Sequence, residues 1–85
     1  MLFIIMAILK EEIKGTVIHN IIKSSNITES SYDTSNKKMT VKFANGVEYE
    51  YKEVPHEVYV QFRLSESQGK FFSSKISKVY EYKKL

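Results

Sequence analysis

The 85-residue chain contains no cysteine and no tryptophan, one proline and three glycines. Because cysteine is absent, neither a disulfide nor a thiolate zinc site can stabilise the core. A small secreted scaffold held together by disulfides is therefore excluded. The absence of cysteine also fits a reducing compartment, so we expect a cytoplasmic protein.

Long apolar stretches are also lacking. The longest unbroken apolar run, residues 1–9, is far shorter than the roughly 20 residues that span a bilayer. It has neither the basic start nor the small-residue cleavage site of a signal peptide. We therefore expect no membrane partner, and we interpret the run as a buried strand or a short helix.

Acidic residues are scarce near the C-terminus. From Gln61 onward the chain has six Lys and Arg residues against two Asp and Glu, whereas residues 1–60 have seven against eight. The formal net charge of +3 therefore arises from the last third of the chain. An anionic partner is expected to bind there.

Alternating polar and apolar residues predict an antiparallel sheet. Strands are expected at residues 17–23, 29–33, 39–43 and 47–51, with a final strand at 81–85. Two helices are expected between the last two strands. This order predicts a small α+β domain in which a meandering antiparallel sheet has two C-terminal helices packed on one face.

The turn at residues 44–46 decides which side chains enter the core. A two-residue loop would place Glu50 opposite Val41 and bring glutamates onto the apolar face, which is costly. A three-residue loop instead pairs Val41 with Tyr49. We therefore predict the longer loop, with the rings of Tyr49 and Tyr51 mainly in the core.

Pro55 predicts the start of the first helix, because its fixed φ suits a first helical turn. The inward face is predicted to contain Val58, Tyr59 and Phe62, and the far side Val60 and Leu64. Ser67 predicts the N-cap of the second helix. The buried stripe of that helix is predicted to consist of Phe72, Ile76, Val79 and Tyr80.

These features follow one another as they do in a known family. The matching residues are Ser24-Ser25-Asn26-Ile27, Tyr32-Asp33, Val41-x-Phe43, Asn45-Gly46, Tyr49-x-Tyr51, Val54-Pro55, Val58-Tyr59, Ser67-x-Gly69-Lys70-x-Phe72 and Ile76. Over residues 23–85 the chain resembles the KTSC family, named for the C-terminal extension of some lysyl-tRNA synthetases. The resemblance implies a stand-alone bacterial or phage member of a family for which RNA binding is the usual suggestion.

The resemblance divides the chain into a KTSC-like domain at residues 23–85 and an apolar N-terminal extension at residues 1–22. Val60 and Leu64 stand where the resemblance implies polar residues. We expect the extension either to cover these two residues within one chain or to join them in a homo-oligomer interface.

Residue patterns for catalysis or metal binding are sparse. His19 and His56 have neither metal-ligand spacing nor a motif that links them to a serine nucleophile. The second helix does not begin with a P-loop, because Leu64 and Phe71 occupy the positions that require Gly and Ser or Thr. We therefore expect no enzyme activity, no cofactor and no metal ion.

The remaining signal is an anion site at the start of the second helix. Free backbone N–H groups there would face a phosphate beside Ser67, Gly69 and Lys70, and Phe71 would stack on a base. The full candidate set for ligand binding is Ser67, Gly69, Lys70, Phe71, Lys75, Arg63, Ser25 and Asn26. In the alternative interpretation, Ser67 only caps the helix and Phe71 belongs to the peripheral core.

We therefore expect a non-catalytic binding module for a phosphate-bearing ligand, either RNA or a small nucleotide. The alternative is a protein-interaction or oligomerisation module, such as a phage-encoded inhibitor or sequestering protein, that uses the N-terminal extension. Salt-sensitive binding would favour the first function, and a salt-tolerant apolar interface would favour the second.

Overall fold

A six-stranded antiparallel sheet with its strands in sequence order forms the framework of the chain. The computed structural model describes residues 8–23 and 26–85. The strands are β1 (Ile8–Lys14), β2 (Val17–Ile22), β3 (Ile27–Asp33), β4 (Lys38–Phe43), β5 (Glu48–Tyr51) and β6 (Tyr82–Lys84). The α+β meander predicted from the sequence is confirmed, including its last strand.

Two helical segments lie between β5 and β6. Helix α1 spans His56–Leu64, and helix α2 spans Gln68–Phe71 and continues directly into a π-helical turn at Phe72–Ile76. No helix among the described residues is long and apolar enough to cross a membrane.

The three-residue loop between β4 and β5 is confirmed. Val41 pairs with Tyr49, and the N–H of Gly46 donates to the carbonyl of Phe43 at 2.9 Å. Gly46 has a φ of 90°, which a residue with a side chain rarely adopts. This register directs the apolar residues of both strands toward the helices and their glutamates toward the other face.

The core fills the space between the sheet and the helices. Its buried apolar members are Ile22, Ile27, Tyr32, Met39, Val41, Tyr51, Val54, Tyr59, Phe62, Phe72 and Ile76. Tyr51 is thus in the core as predicted, whereas Tyr49 is half-buried at its margin. The hydroxyl of Tyr32 donates to the carbonyl of Val54 at 2.5 Å, which ties β3 to the segment before α1.

Helix α1 begins one residue after its proline. Pro55 is the N-cap, with a φ of −60°. Tyr59 and Phe62 are fully buried, whereas Leu64 on the far side is 43% exposed and Val60 is half-buried. The predicted division of α1 into an inner and an outer apolar face is confirmed.

The buried stripe of the second helix is shorter than predicted. Phe72 and Ile76 are buried, but Val79 is 61% exposed, so its assignment to the stripe was wrong. The helix ends with the π-helical turn, in which the N–H of Ser77 donates to the carbonyl of Phe72 at 2.8 Å. Val79 then lies in the following turn rather than on the helix, while Tyr80 packs against the core.

The N-terminal extension contributes two strands to the sheet. Strands β1 and β2 form a hairpin whose turn contains Gly15 with a φ of 60°. Leu9, which the sequence predicted to be buried, is 60% exposed. Residues 1–7, which make up most of the predicted apolar run, lie outside the described residues.

Candidate functional site

Ser67 caps the second helix in the manner expected from the sequence. Its hydroxyl accepts the N–H of Lys70 at 3.4 Å, and its own N–H donates to the hydroxyl of Ser65 at 3.1 Å. Gly69 is half-buried in the first turn. One of the N–H groups at the start of this helix is therefore already satisfied within the chain.

Three lysines project from the second helix and the turn that follows it. Lys70, Lys75 and Lys78 are all exposed, and residues 67–80 contain no Asp or Glu. None of the three forms an ion pair with another described residue. Lys70 lies in the α-helical part and Lys75 in the π-helical turn at Phe72–Ile76, while Lys78 lies in the turn that follows. We call Lys70, Lys75 and Lys78 the lysine strip.

Four other cations of the described chain are paired. Ion pairs join Lys10 to Glu12, Lys42 to Glu29, Arg63 to Glu11 and Lys83 to Glu50. Because the lysine strip has no ion pair with another described residue and residues 67–80 contain no Asp or Glu, it is a region of uncompensated positive charge, as the uneven charge distribution of the sequence predicts.

The guanidinium of Arg63 is bound to β1. Its Nε donates to Oε1 of Glu11 at 2.5 Å and its Nη2 donates to Oε2 at 2.8 Å. The Glu11 carboxylate raises the pKa of Arg63, and the guanidinium holds the pKa of Glu11 below its usual 4.5. The charge of Arg63 is thus compensated by β1.

Phe71 lies at the margin of the core. It is half-buried, and its ring meets that of Phe62 edge-on with 6.2 Å between the ring centroids. The accessible part of the ring lies on the same helix as Lys70 and Lys75. Phe71 therefore combines the packing role considered in the sequence analysis with a partly exposed surface.

Asn26, which precedes β3, lies in a different part of the fold from the second helix. Asn26 is exposed, and its carbonyl accepts the N–H of Ala44 in the β4–β5 loop at 2.8 Å. Ser25 lies outside the described residues. Of the eight sequence-predicted residues, the structure places Ser67, Gly69, Lys70, Phe71 and Lys75 together on one helix.

A buried polar network beneath α1 was missed in the sequence analysis. The hydroxyl of Tyr59 donates to Oδ1 of Asn20 at 2.5 Å and lies 2.9 Å from Oγ of Ser30. Nδ2 of Asn20 donates in turn to Glu11 at 2.8 Å. Burial raises the pKa of Tyr59 to about 12, so its hydroxyl stays protonated at neutral pH. The available signal was Asn20 itself, a polar residue between the inward-facing Ile18 and Ile22.

An aromatic groove forms a second accessible surface near β6. It is lined by Phe43, Asn45, Val47, Tyr49 and Lys84. Tyr82, which is 54% exposed, meets Tyr49 edge-on with 5.6 Å between the ring centroids. These rings show that the tyrosine pair of β5 faces both the core and a solvent-accessible edge.

The face of the sheet opposite the helices is polar. His19 and Glu29 lie 2.9 Å apart, and Lys42 approaches the same carboxylate at 3.8 Å. Thr40 and Ser31 line the same shallow depression. Lys42 and Glu29 carry opposite charges that compensate each other, so this depression has no excess of positive charge comparable to the lysine strip.

Known proteins resemble this chain in sequence and in structure. Residues 23–80 match the KTSC domain, and this range covers more than half of the chain. A protein of Tsukamurella paurometabola is 36% identical over 50 residues, which are 59% of this chain and 75% of the relative. The crystal structure of a KTSC domain protein from Yersinia pestis is 27% identical, with a TM-score of 0.75 over 81% of this chain and 97% of that chain. The sequence match and the shared fold agree, and the chain belongs to the KTSC domain family.

Proposed function

We propose that this protein is a non-catalytic module that binds a phosphate-bearing ligand, RNA or a small nucleotide, through the lysine strip. The observation that supports this proposal is the uncompensated charge of Lys70, Lys75 and Lys78. Phosphates are recognised mainly through such cations, and lysines spaced along a helix and the turn after it can contact successive phosphates. The exposed serines Ser73 and Ser74 lie between the lysines and add hydroxyl groups.

Two features beside the lysine strip suit a base or a ribose. The accessible part of the Phe71 ring lies on the same helix and offers an apolar surface to a base, as aromatic side chains do in single-strand binding sites. The helix start adds the positive end of a short dipole next to Lys70. A ligand with both phosphate and base would therefore bind more tightly than inorganic phosphate alone.

Amide chemical-shift mapping tests this assignment. The ¹⁵N-labelled protein is titrated separately with inorganic phosphate, a nucleoside triphosphate and a short single-stranded RNA. We expect the largest shifts at residues 67–78, with the RNA acting at the lowest concentration if the ligand is a polynucleotide. Saturation by the nucleotide at equal or lower concentration would identify a small-molecule site instead.

The outcome that opposes the proposal is equally specific. Shifts confined to the polar sheet face, around His19 and Thr40, would place the ligand on the wrong side of the molecule. No shifts with any of the three ligands would favour the alternative function, a protein-interaction module.

A further inference from the structure

Strand β1 is an edge strand with exposed apolar side chains. It is the first strand in the sheet order, and its neighbour on one side is β2. Leu9 is 60% exposed and Ile13 is 65% exposed. An edge of this kind presents unpaired backbone groups that another strand can use. The opposite edge, β6, has three residues, and so short an edge strand offers little backbone for pairing.

Helix α1 extends the apolar surface beside β1. The contact between Arg63 and Glu11 holds the end of α1 over this strand. Leu64, the next residue, is 43% exposed, and Val60 lies one helical turn earlier and is half-buried. We call Leu9, Ile13, Val60 and Leu64 the edge patch. An apolar surface bordered by ion pairs is typical of a protein interface.

We propose that a second copy of this chain pairs with β1 in antiparallel orientation, about a two-fold axis that passes through Glu11. The two sheets then join into one continuous sheet with both edge patches at the seam. Such an interface uses the same surface on both partners, as closed dimers do.

The sequence of β1 complements itself in this register. A two-fold axis perpendicular to the sheet keeps every side chain on the same face of the sheet. Residues directly opposite each other also share a face, so the axis must lie at a residue and not between two residues. With the axis at Glu11, Leu9 lies opposite Ile13 of the second copy and Lys10 lies opposite Glu12. Each apolar residue therefore lies opposite an apolar residue, and each charge lies opposite a charge of the other sign. Both kinds of pair occur once on each side of the axis.

Neighbouring axis positions lose this match. An axis at Lys10 or at Glu12 places like charges opposite each other and leaves Glu11 facing an apolar residue. With the axis at Glu11, the two Glu11 carboxylates approach each other, but each is held by two hydrogen bonds from Arg63. The stretch from Lys10 to Lys14, which contains the axis and the charged pairs, pairs with β2 without a register shift. Leu9 lies at the register shift between Ile8 and Lys10, at the outer end of the proposed seam.

Charge reversal tests the register directly. The association of the full chain is measured by sedimentation equilibrium over a range of concentrations. The variants Lys10→Glu and Glu12→Lys each place like charges opposite each other at both charged pairs of the proposed seam. We expect each to raise the dimer dissociation constant at least about tenfold. An equimolar mixture of the two variants restores both opposite-charge pairs and should associate about as tightly as the unmodified protein.

Three results would overturn the proposal. The unmodified protein could remain monomeric up to about 1 mM. In that case residues 1–7 or another protein, and not a second copy, would cover the edge patch. Either variant could dimerise as tightly as the unmodified chain. Both variants could weaken the dimer while their mixture fails to restore it. Circular dichroism melting of each variant ensures that any change in association reflects the seam and not unfolding.

Discussion

The guanidinium of Arg63 donates two hydrogen bonds to the carboxylate of Glu11, at 2.5 Å and 2.8 Å, and so joins α1 to β1. Glu11 lies outside residues 23–80, which match the KTSC domain, whereas Arg63 lies within them. The N-terminal hairpin is therefore attached to the family domain by a specific ion pair as well as by strand pairing. This attachment positions both the buried polar network and the edge patch.

The Arg63–Glu11 pair should make stability dependent on pH. In the folded state the pKa of Glu11 is lowered from 4.5. The stabilisation of the folded state by its carboxylate is therefore fully present above pH 4.5 and is lost as the pH falls through the lowered pKa. Because the pair is partly exposed, we expect Glu11→Gln to cost about 1 kcal/mol at neutral pH. Urea denaturation should show this difference shrinking in acid. The exposed Glu66→Gln should cost little at either pH, and an equal, pH-independent loss in both variants would contradict the assignment.

The polar network under α1 predicts a large effect from the loss of one hydroxyl group. Tyr59→Phe leaves the buried Asn20 and Ser30 without the partner that joins them. We expect a loss of about 1–3 kcal/mol in the free energy of unfolding, the usual cost of leaving buried polar groups unsatisfied. The exposed Tyr82→Phe is the matched control. Equal stability of the two variants would show that the network does not stabilise the fold.

The two tyrosines of β5 should differ in their contribution to stability. Tyr51 is 4% exposed and packs against Phe72, whereas Tyr49 is half-buried beside the aromatic groove. We expect Tyr51→Ala to cost about 3–5 kcal/mol and Tyr49→Ala about 2 kcal/mol. Thermal and chemical denaturation measure both values. If Tyr49→Ala keeps full stability but loses ligand binding, the sheet edge rather than the second helix is the ligand surface.

The sheet was largely predictable because its strands alternate regularly. The loop at residues 44–46 followed from the need to keep Glu50 off the face of Val41, and the structure has that register. The part of β1 at residues 10–14 was not predicted, because four of these five residues are charged and show no alternating pattern. These residues form a strand because they pair with β2. Val79 was misassigned because a π-helical turn ends the helix, and no periodicity in the sequence signals that turn.

The candidate site was predictable only in its local parts. The cap at Ser67 and the lysines of the second helix are set by neighbouring residues, so sequence spacing located them. The role of Arg63 depends on Glu11, which is 52 positions away in the chain. Without the fold, no local pattern shows that this arginine is already compensated, and its charge was therefore expected at the ligand site.

Charge reversal on the lysine strip is the measurement that tests the proposed function most directly. Fluorescence anisotropy of a labelled single-stranded RNA and of a labelled nucleotide is followed at one fixed ionic strength. The titrations use the unmodified protein, Lys70→Glu, Lys75→Glu and the control Lys14→Glu, which makes the same change in net charge on β1.

We predict that Lys70→Glu and Lys75→Glu each weaken binding by about 1–3 kcal/mol, the scale of a lost charge-assisted contact. The control Lys14→Glu should change affinity by less than about twofold, because a charge on a distant edge is screened by salt. An unchanged affinity in both strip variants, or an equal loss in the control, would contradict binding at the lysine strip.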